Sequence, residues 1–187
     1  MVKTTKKGKK AWIKIVAPRE FKNITLGESY VYTPDQLIGK KLSVNLSIIL
    51  GDMRKQNINM GFKIYEANQT QALTKTVSFE LMPTHVKKMN RALKDKMDDS
   101  FVVVSKDNLK IKIKPLLLTR NKTSNSTLTS LRKKTREKLA KIASENDFSD
   151  FLNGVISSQL QKELRADLNK IYPLSVCEIR KIELVSN

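Results

Sequence analysis

The stretch KLSVNLSIIL, residues 41–50, alternates apolar and polar side chains along most of its length. Leu42, Val44, Leu46 and Ile48 fall on one side, and Ser43, Asn45 and Ser47 on the other. That is the pattern of a strand with one buried and one wet face. Gly51 and Asp52 end it. Residues 59–67, NMGFKIYEA, repeat the alternation through Met60, Phe62 and Ile64. Residues 71–81 do so again through Leu73, Val77, Phe79 and Leu81. Three alternating strands joined by short polar links predict an antiparallel meander.

Upstream, AWIKIV at 11–16 is a short strand, stopped at Ala17-Pro18 because the residue before proline is pushed out of the helical region. Trp12, the one tryptophan, reads as a core or rim packing residue, since an aromatic without neighbours makes a poor base-stacking platform. Residues 28–33, with Tyr30 and Tyr32, suggest another short strand before a turn at Thr33-Pro34-Asp35. Residues 1–10 carry Lys3, Lys6, Lys7, Lys9 and Lys10 with no apolar anchor beyond Val2. They predict a basic tail, disordered when the chain is alone, that lies along phosphates.

Downstream, Met82-Pro83-Thr84 closes the sheet and starts a helix capped by Thr84. Val86, Met89, Leu93 and Met97 form its apolar stripe, and Lys87, Lys88, Arg91 and Lys94 occupy the remaining surface. Residues 101–104 and 109–114 form a hairpin across Lys106-Asp107-Asn108. On its second arm Lys110, Lys112 and Lys114 oppose Leu109, Ile111 and Ile113. Those lysines either guard a sheet edge or rest on a nucleic-acid backbone. Pro115 is expected to interrupt the ladder before residues 116–118.

Residues 119–143, TRNKTSNSTLTSLRKKTREKLAKIA, concentrate the functional signal. Residues 119–127 contain no apolar side chain and predict a loop that is mobile in isolation. Leu128, Leu131, Leu139 and Ile142 then recur on one side of a helix, with Thr135 filling the gap in the stripe. Arg132, Lys133, Lys134, Arg136, Lys138 and Lys141 load that helix with cations, opposed on it by Glu137. A solvated face is the plain reading of most charge runs, but such faces intersperse Glu with Lys one turn apart. A narrow apolar seam with a dense cationic face is instead a docking geometry, and the basic loop residues Arg120 and Lys122 extend it towards RNA. Arg120, Arg132 and Arg136 are the expected bidentate phosphate contacts, because guanidinium matches phosphate geometry.

Residues 148, 151, 152, 155 and 156 give a short apolar-faced helix, and Ser158 can cap another carrying Leu160, Leu164 and Leu168. Ile171-Tyr172-Pro173-Leu174 breaks it. Residues 176–185 return as a last strand with a bulge at Arg180-Lys181. The expected organisation is a tail (1–10) and one globular α+β domain (11–187). Residues 11–118 would be mainly strands plus one helix, 119–175 the basic loop and helices, and 176–185 the returning strand.

The chain has 187 residues, with 36 Lys and Arg against 18 Asp and Glu, a formal charge of +18. Self-repulsion of that size destabilises a compact state unless a polyanion relieves it. The apolar fraction of 40% still provides for a folded body. Cys177 is the one cysteine, so no disulfide framework exists, and its apolar setting predicts packing rather than reactivity. No run approaches the ~20 apolar residues of a membrane span, and no signal-peptide pattern follows the basic start. These features predict a soluble intracellular protein with no membrane partner.

Catalytic chemistry finds no support. His85 is the one histidine, and no phosphate-loop, dinucleotide or paired-cysteine motif occurs. Asp98-Asp99 reads as a helix end rather than a magnesium site. No cofactor, metal site or enzymatic activity is expected. The rivals to an RNA-clamping protein are a general DNA- or RNA-binding protein and an RNA-modifying enzyme.

Several segments together resemble one family. WIKIVAP at 12–18 with Phe21 and Gly27, LIGKKLSVNL at 37–46, Thr119 and Arg120 with residues 131–134, and IYPLSVCEIRKIEL at 171–184 occur in the order and spacing of the archaeal and eukaryotic small-subunit ribosomal protein family S-three-A-e, or e-S-one. The chain lacks the acidic extension of the eukaryotic members and looks archaeal. The resemblance implies an antiparallel sheet curled towards a barrel, with peripheral helices. It further implies a structural, cytoplasmic ribosomal protein that supports translation on the platform of the small subunit, near the messenger exit and the 3′ region of the rRNA. Its partners would be small-subunit rRNA and neighbouring platform proteins, with messenger RNA at the exit left open. The residues expected to bind rRNA are Lys3, Lys6, Lys7, Lys9, Lys10, Lys87, Lys88, Arg91, Arg120, Lys122, Arg132, Lys133, Lys134, Arg136, Lys138 and Lys141.

Overall fold

A computed structural model describes residues 9–90 and 94–185. The strands are β1 (Ala11–Val16), β2 (Thr25–Val31), β3 (Lys41–Asn45), β4 (Ile58–Ala67), β5 (Gln71–Leu81), β6 (Lys96–Asp98), β7 (Phe101–Val104), β8 (Lys110–Thr119) and β9 (Leu174–Leu184). The helices are α1 (Leu46–Leu50), α2 (Pro83–Met89), α3 (Asn125–Glu145), α4 (Phe148–Ile156) and α5 (Gln159–Leu168). The chain divides into two compact units, Met1–Val77 and Ser78–Asn187, and β5 contributes to both.

In the first unit β3 pairs antiparallel with β4, and β4 adjoins β5, as the meander requires. One expectation is corrected. The sheet is mixed rather than purely antiparallel, because β1 lies parallel to β5, with Lys14 opposite Gln71 and Val16 opposite Leu73. Alternation specifies which face is buried but not strand direction, and the long connection through β2 to β4 provides the crossover a parallel pair needs. The ladder does not close into a barrel among the described residues. β2 and β6 end its strand order, and neither pairs onward among the described residues.

The stretch that reads as one strand at 41–50 is half strand and half helix. Asn45 accepts hydrogen bonds from the Ser47 backbone N–H (2.9 Å) and hydroxyl (2.7 Å), which caps α1. Gly51, at φ 69°, closes it by donating to the Ser47 carbonyl. Leu46 and Ile49 therefore turn inward while Ile48 is exposed. The core of this unit gathers Ile13, Ile15, Val31, Leu37, Ile64 and Ala72, and Phe21 meets Phe62 edge-on at 5.7 Å.

In the second unit β9 lies between β5 and β8. The expected bulge is present. Lys114 faces Lys181 and Pro115 faces Ile179, which leaves Arg180 as the extra residue. Pro115 does not break β8, because its missing N–H coincides with that register shift and the strand continues to Thr119. The 101–104 and 109–114 hairpin forms as expected, with Asn108 in the left-handed region at its turn. Lys110, Lys112 and Lys114 are not edge guards. β8 is an inner strand, flanked by β9 on one side and by β6 and β7 on the other.

The helix expected to run from Thr84 to Met97 is shorter. Pro83 occupies its first turn, and no side chain caps it. Met97 is instead a buried strand residue on β6, and Lys94 donates to the Ser175 hydroxyl (2.6 Å). Leu93 and Arg91 lie outside the described residues. His85 is half-buried in α2. Ser158 precedes α5 with φ 60° but makes no side-chain cap bond; Gln161 ties the two helices by donating to the Val155 carbonyl (3.0 Å).

Cys177 is buried on β9, and burial pushes its thiol pKa up to about 12. Native protein at neutral pH is expected to resist a thiol reagent that labels the denatured chain fully; equal labelling rates would contradict its packing role. Leu139, buried on α3, is expected to cost about 2–5 kcal/mol when changed to Ala, read from the denaturant midpoint.

Candidate nucleic-acid interface

The 119–127 loop is shorter and better anchored than expected. Thr119 ends β8, and α3 already begins at Asn125. Polar side chains that cannot bury area tie down the connection instead. Asp95 accepts from the Thr123 N–H (2.8 Å), and Ser124 caps α3 by accepting from the Thr127 N–H (3.4 Å). The Arg120 N–H donates to the Pro173 carbonyl (3.0 Å).

The helix that follows is 21 residues and about 31 Å long. Leu131, Thr135, Leu139 and Ala143 recur every four residues and are fully buried, against β7, α4 and α5. Leu128 and Ile142 are half-buried at the border of that seam. Thr135 sits in it without an unsatisfied hydroxyl, because it donates to the Leu131 carbonyl (2.7 Å).

Arg132, Lys133 and Lys141 are exposed on α3. Arg132, Lys133 and Arg136 border one shallow depression with Thr129 and Glu137, so the sequence-predicted cluster is brought together. Arg136 has a second engagement that the sequence reading missed. Its Nε and Nη2 donate to the two carboxylate oxygens of Asp99, each at 2.8 Å, and its guanidinium lies 5.6 Å from the Phe101 ring centre. Asp99 therefore ends no helix; it follows β6 and reaches across to α3. The Arg136 hydrogen bonds, with a further bond from the Ser100 N–H, hold the Asp99 carboxyl below its ordinary pKa against the opposing effect of burial. Lys138 is likewise turned to an acid, Asp167, which also takes Lys170 (3.0 Å). Lys134 is half-buried, and Arg120 and Lys122 are exposed on the connection.

Another basic surface lies on α2, β8 and β9. Lys87 and Lys88 are exposed in the last turn of α2. Lys87 shares a depression of about 370 Å³ with Glu80, Lys114, Arg180 and Lys181. The bulge presents Arg180, which donates to Asp98 (2.6 Å). Lys181 lies 3.7 Å from Glu80 and 3.4 Å from Glu183. Lys114, Arg180 and Lys181 were absent from the predicted site, although the lysine alternation on β8 and the bulge both signalled them. Lys9 and Lys10 are exposed ahead of β1, whereas Lys3, Lys6, Lys7 and Arg91 lie outside the described residues.

Among the described residues no group of three His, Cys, Asp or Glu side chains could hold a metal ion, and no helix is long and apolar enough to cross a membrane.

The model of the Ribosomal S3Ae family matches residues 3–187. The chain belongs to that family. It is 32% identical to the small ribosomal subunit protein eS1 of Saccharolobus islandicus strain L.S.2.15, over 94% of this chain and 85% of that protein. It is 28% identical to the eS1 protein of Nanoarchaeum equitans, over 94% and 89% of the two chains. The eS1 protein of Halorubrum lacusprofundi is also 28% identical, over 94% of this chain and 81% of its own length. In this S3Ae member the C-terminal segment that carries the resemblance folds as β9, the central strand of its unit, and residues 37–46 supply β3 with the start of α1.

The Asp99 carboxyl titrates lower when folded than the ~3.9 of an unfolded aspartate. Its pairing with Arg136 thus stabilises the fold above that value, and the contribution is lost as pH falls through the folded pKa. Asp99→Asn is expected to lower the urea midpoint at pH 7, with the gap to wild type closing in acid. A gap that is constant with pH would contradict the ion-pair account.

Proposed function

We propose that this chain is a structural component of the small ribosomal subunit that binds and stabilises small-subunit rRNA. The finer placement is on the platform, near the messenger exit and the rRNA 3′ region, beside other platform proteins. The chain then resides on cytoplasmic ribosomes and supports translation as a scaffold. Three facts support the reading: the family, the eS1 names of its relatives, and a net charge of +18.

The observation that carries it is the pair Arg132 and Lys133, exposed on a helix whose opposite side is fixed by four buried residues. A helix fixed by its seam presents these cations from a set position, and each phosphate they neutralise releases counterions. Arg136 acts differently from an unpaired phosphate clamp. Its fork is already filled by Asp99, so it braces β6 and β7 against α3. Lys138, engaged by Asp167, braces α5 in the same manner. Lys141, Arg120, Lys122 and the residue 1–10 arm extend the phosphate contacts, and Lys87 and Lys88 supply them on α2.

The test is Arg132→Glu combined with Lys133→Glu, leaving the Asp99 brace intact. The variant is expected to keep its circular dichroism spectrum and melting midpoint, and to fall out of small subunits in co-sedimentation. Its affinity for a duplex rRNA fragment should lose roughly 1–2 units of salt slope, about 0.9 per lost contact. Normal co-sedimentation with an unchanged slope would refute the reading.

A further inference from the structure

Trp12 is not the isolated aromatic its sequence context suggests. It lies directly across the β1–β2 ladder from Tyr30, and the two rings stack at 4.9 Å between centres, tilted by 31°. Both lie on the side of the ladder opposite Ile13, Ile15 and Val31, which form the core. Trp12 is 64% exposed, Tyr30 50% and Tyr32 40%. Lys10 lies over two of the rings, its ammonium 5.4 Å from the Tyr30 centre and 4.9 Å from the Tyr32 centre.

We infer that Trp12, Tyr30, Tyr32 and Lys10 form a stacking platform for unpaired nucleotides of the small-subunit rRNA. Base faces stack on exposed aromatic rings whatever the sequence, because every base has a π-face. An indole already stacked on one side by a tyrosine is held in one orientation and keeps most of its surface open for a base. Lys10 places a cation beside that surface, where the phosphate of a stacked nucleotide arrives. Charge favours RNA over a protein partner: the chain carries a formal +18, Lys10 sits over the rings, and Lys14 follows Trp12 on the same strand face, with Glu28 across from it as the acid on that side. Duplex RNA is not the occupant, since its bases are stacked inward and offer no face. This inference takes the identity of the RNA from the proposed function but does not depend on the α3 cations.

The sole tryptophan makes the platform its own reporter. The full-length chain is titrated with a seven-nucleotide single-stranded oligoadenylate and an abasic ribose-phosphate oligomer of equal length, at fixed salt. Quenching of Trp12 emission is expected from the oligoadenylate, with much less from the abasic oligomer. Tyr30→Leu with Tyr32→Leu is expected to weaken the quenching titration roughly 5- to 100-fold. The α3 reading is scored separately, by co-sedimentation of the Arg132→Glu, Lys133→Glu variant, so failure of the platform and failure of that reading are told apart. In salt-washed small subunits free of messenger, ultraviolet crosslinking is expected to join Trp12 or Tyr30 to an rRNA nucleotide. Equal quenching by the abasic oligomer, or crosslinks from these residues to a neighbouring protein, would overturn the inference.

Discussion

The buried seam of α3 governs what this protein can present to a partner. Leu131, Thr135, Leu139 and Ala143 are all inaccessible to solvent or nearly so, and their four-residue spacing fixes the rotation of the helix about its axis. Once that rotation is fixed, Arg132, Lys133 and Lys141 have no choice but to face outward. A seam of three small or branched residues and one threonine would be weak if the hydroxyl were stranded. The bond from Thr135 to the Leu131 carbonyl removes that penalty and keeps the surface contacting β7, α4 and α5 continuous.

Acids in the second unit are placed to brace this arrangement. Asp99 holds Arg136 to the β6–β7 connection, Asp167 holds Lys138 to α5, and Asp95 holds the start of the α3 connection. Asp98 takes Arg180 and Lys96 together. Each exposed pair contributes little by itself. Their effect is selective, because they engage Arg136 and Lys138 while Arg132 and Lys133 stay exposed on the same helix. A count of charges along the sequence makes these cations equivalent, and the fold does not.

Much of the architecture was legible from local signals. Alternation marked β4, β5 and the β7–β8 hairpin, the seam spacing marked α3, and the break at Arg180-Lys181 marked the bulge. Local capping overrode the pattern at 46–50. Asn45, Ser47 and Gly51 each make a specific bond, and three such bonds outweigh a strand preference that rests on packing. The parallel β1–β5 pair was illegible, since strand direction depends on the path of the intervening chain. The same holds for contacts between distant residues. Asp99 meets Arg136 across 37 positions, and Trp12 meets Tyr30 only because β1 and β2 pair. The candidate site was therefore readable as a set of cations, but not as a division into bracing and exposed ones.

The central claim is that α3, held by its buried seam, lays its exposed cations on folded RNA. A reconstruction of the native small subunit containing this chain tests it most directly. The account expects the Arg132 guanidinium and the Lys133 ammonium at about 3 Å from rRNA phosphate oxygens, with Arg136 still paired to Asp99. An α3 whose exposed face meets bulk solvent or only other proteins would contradict it.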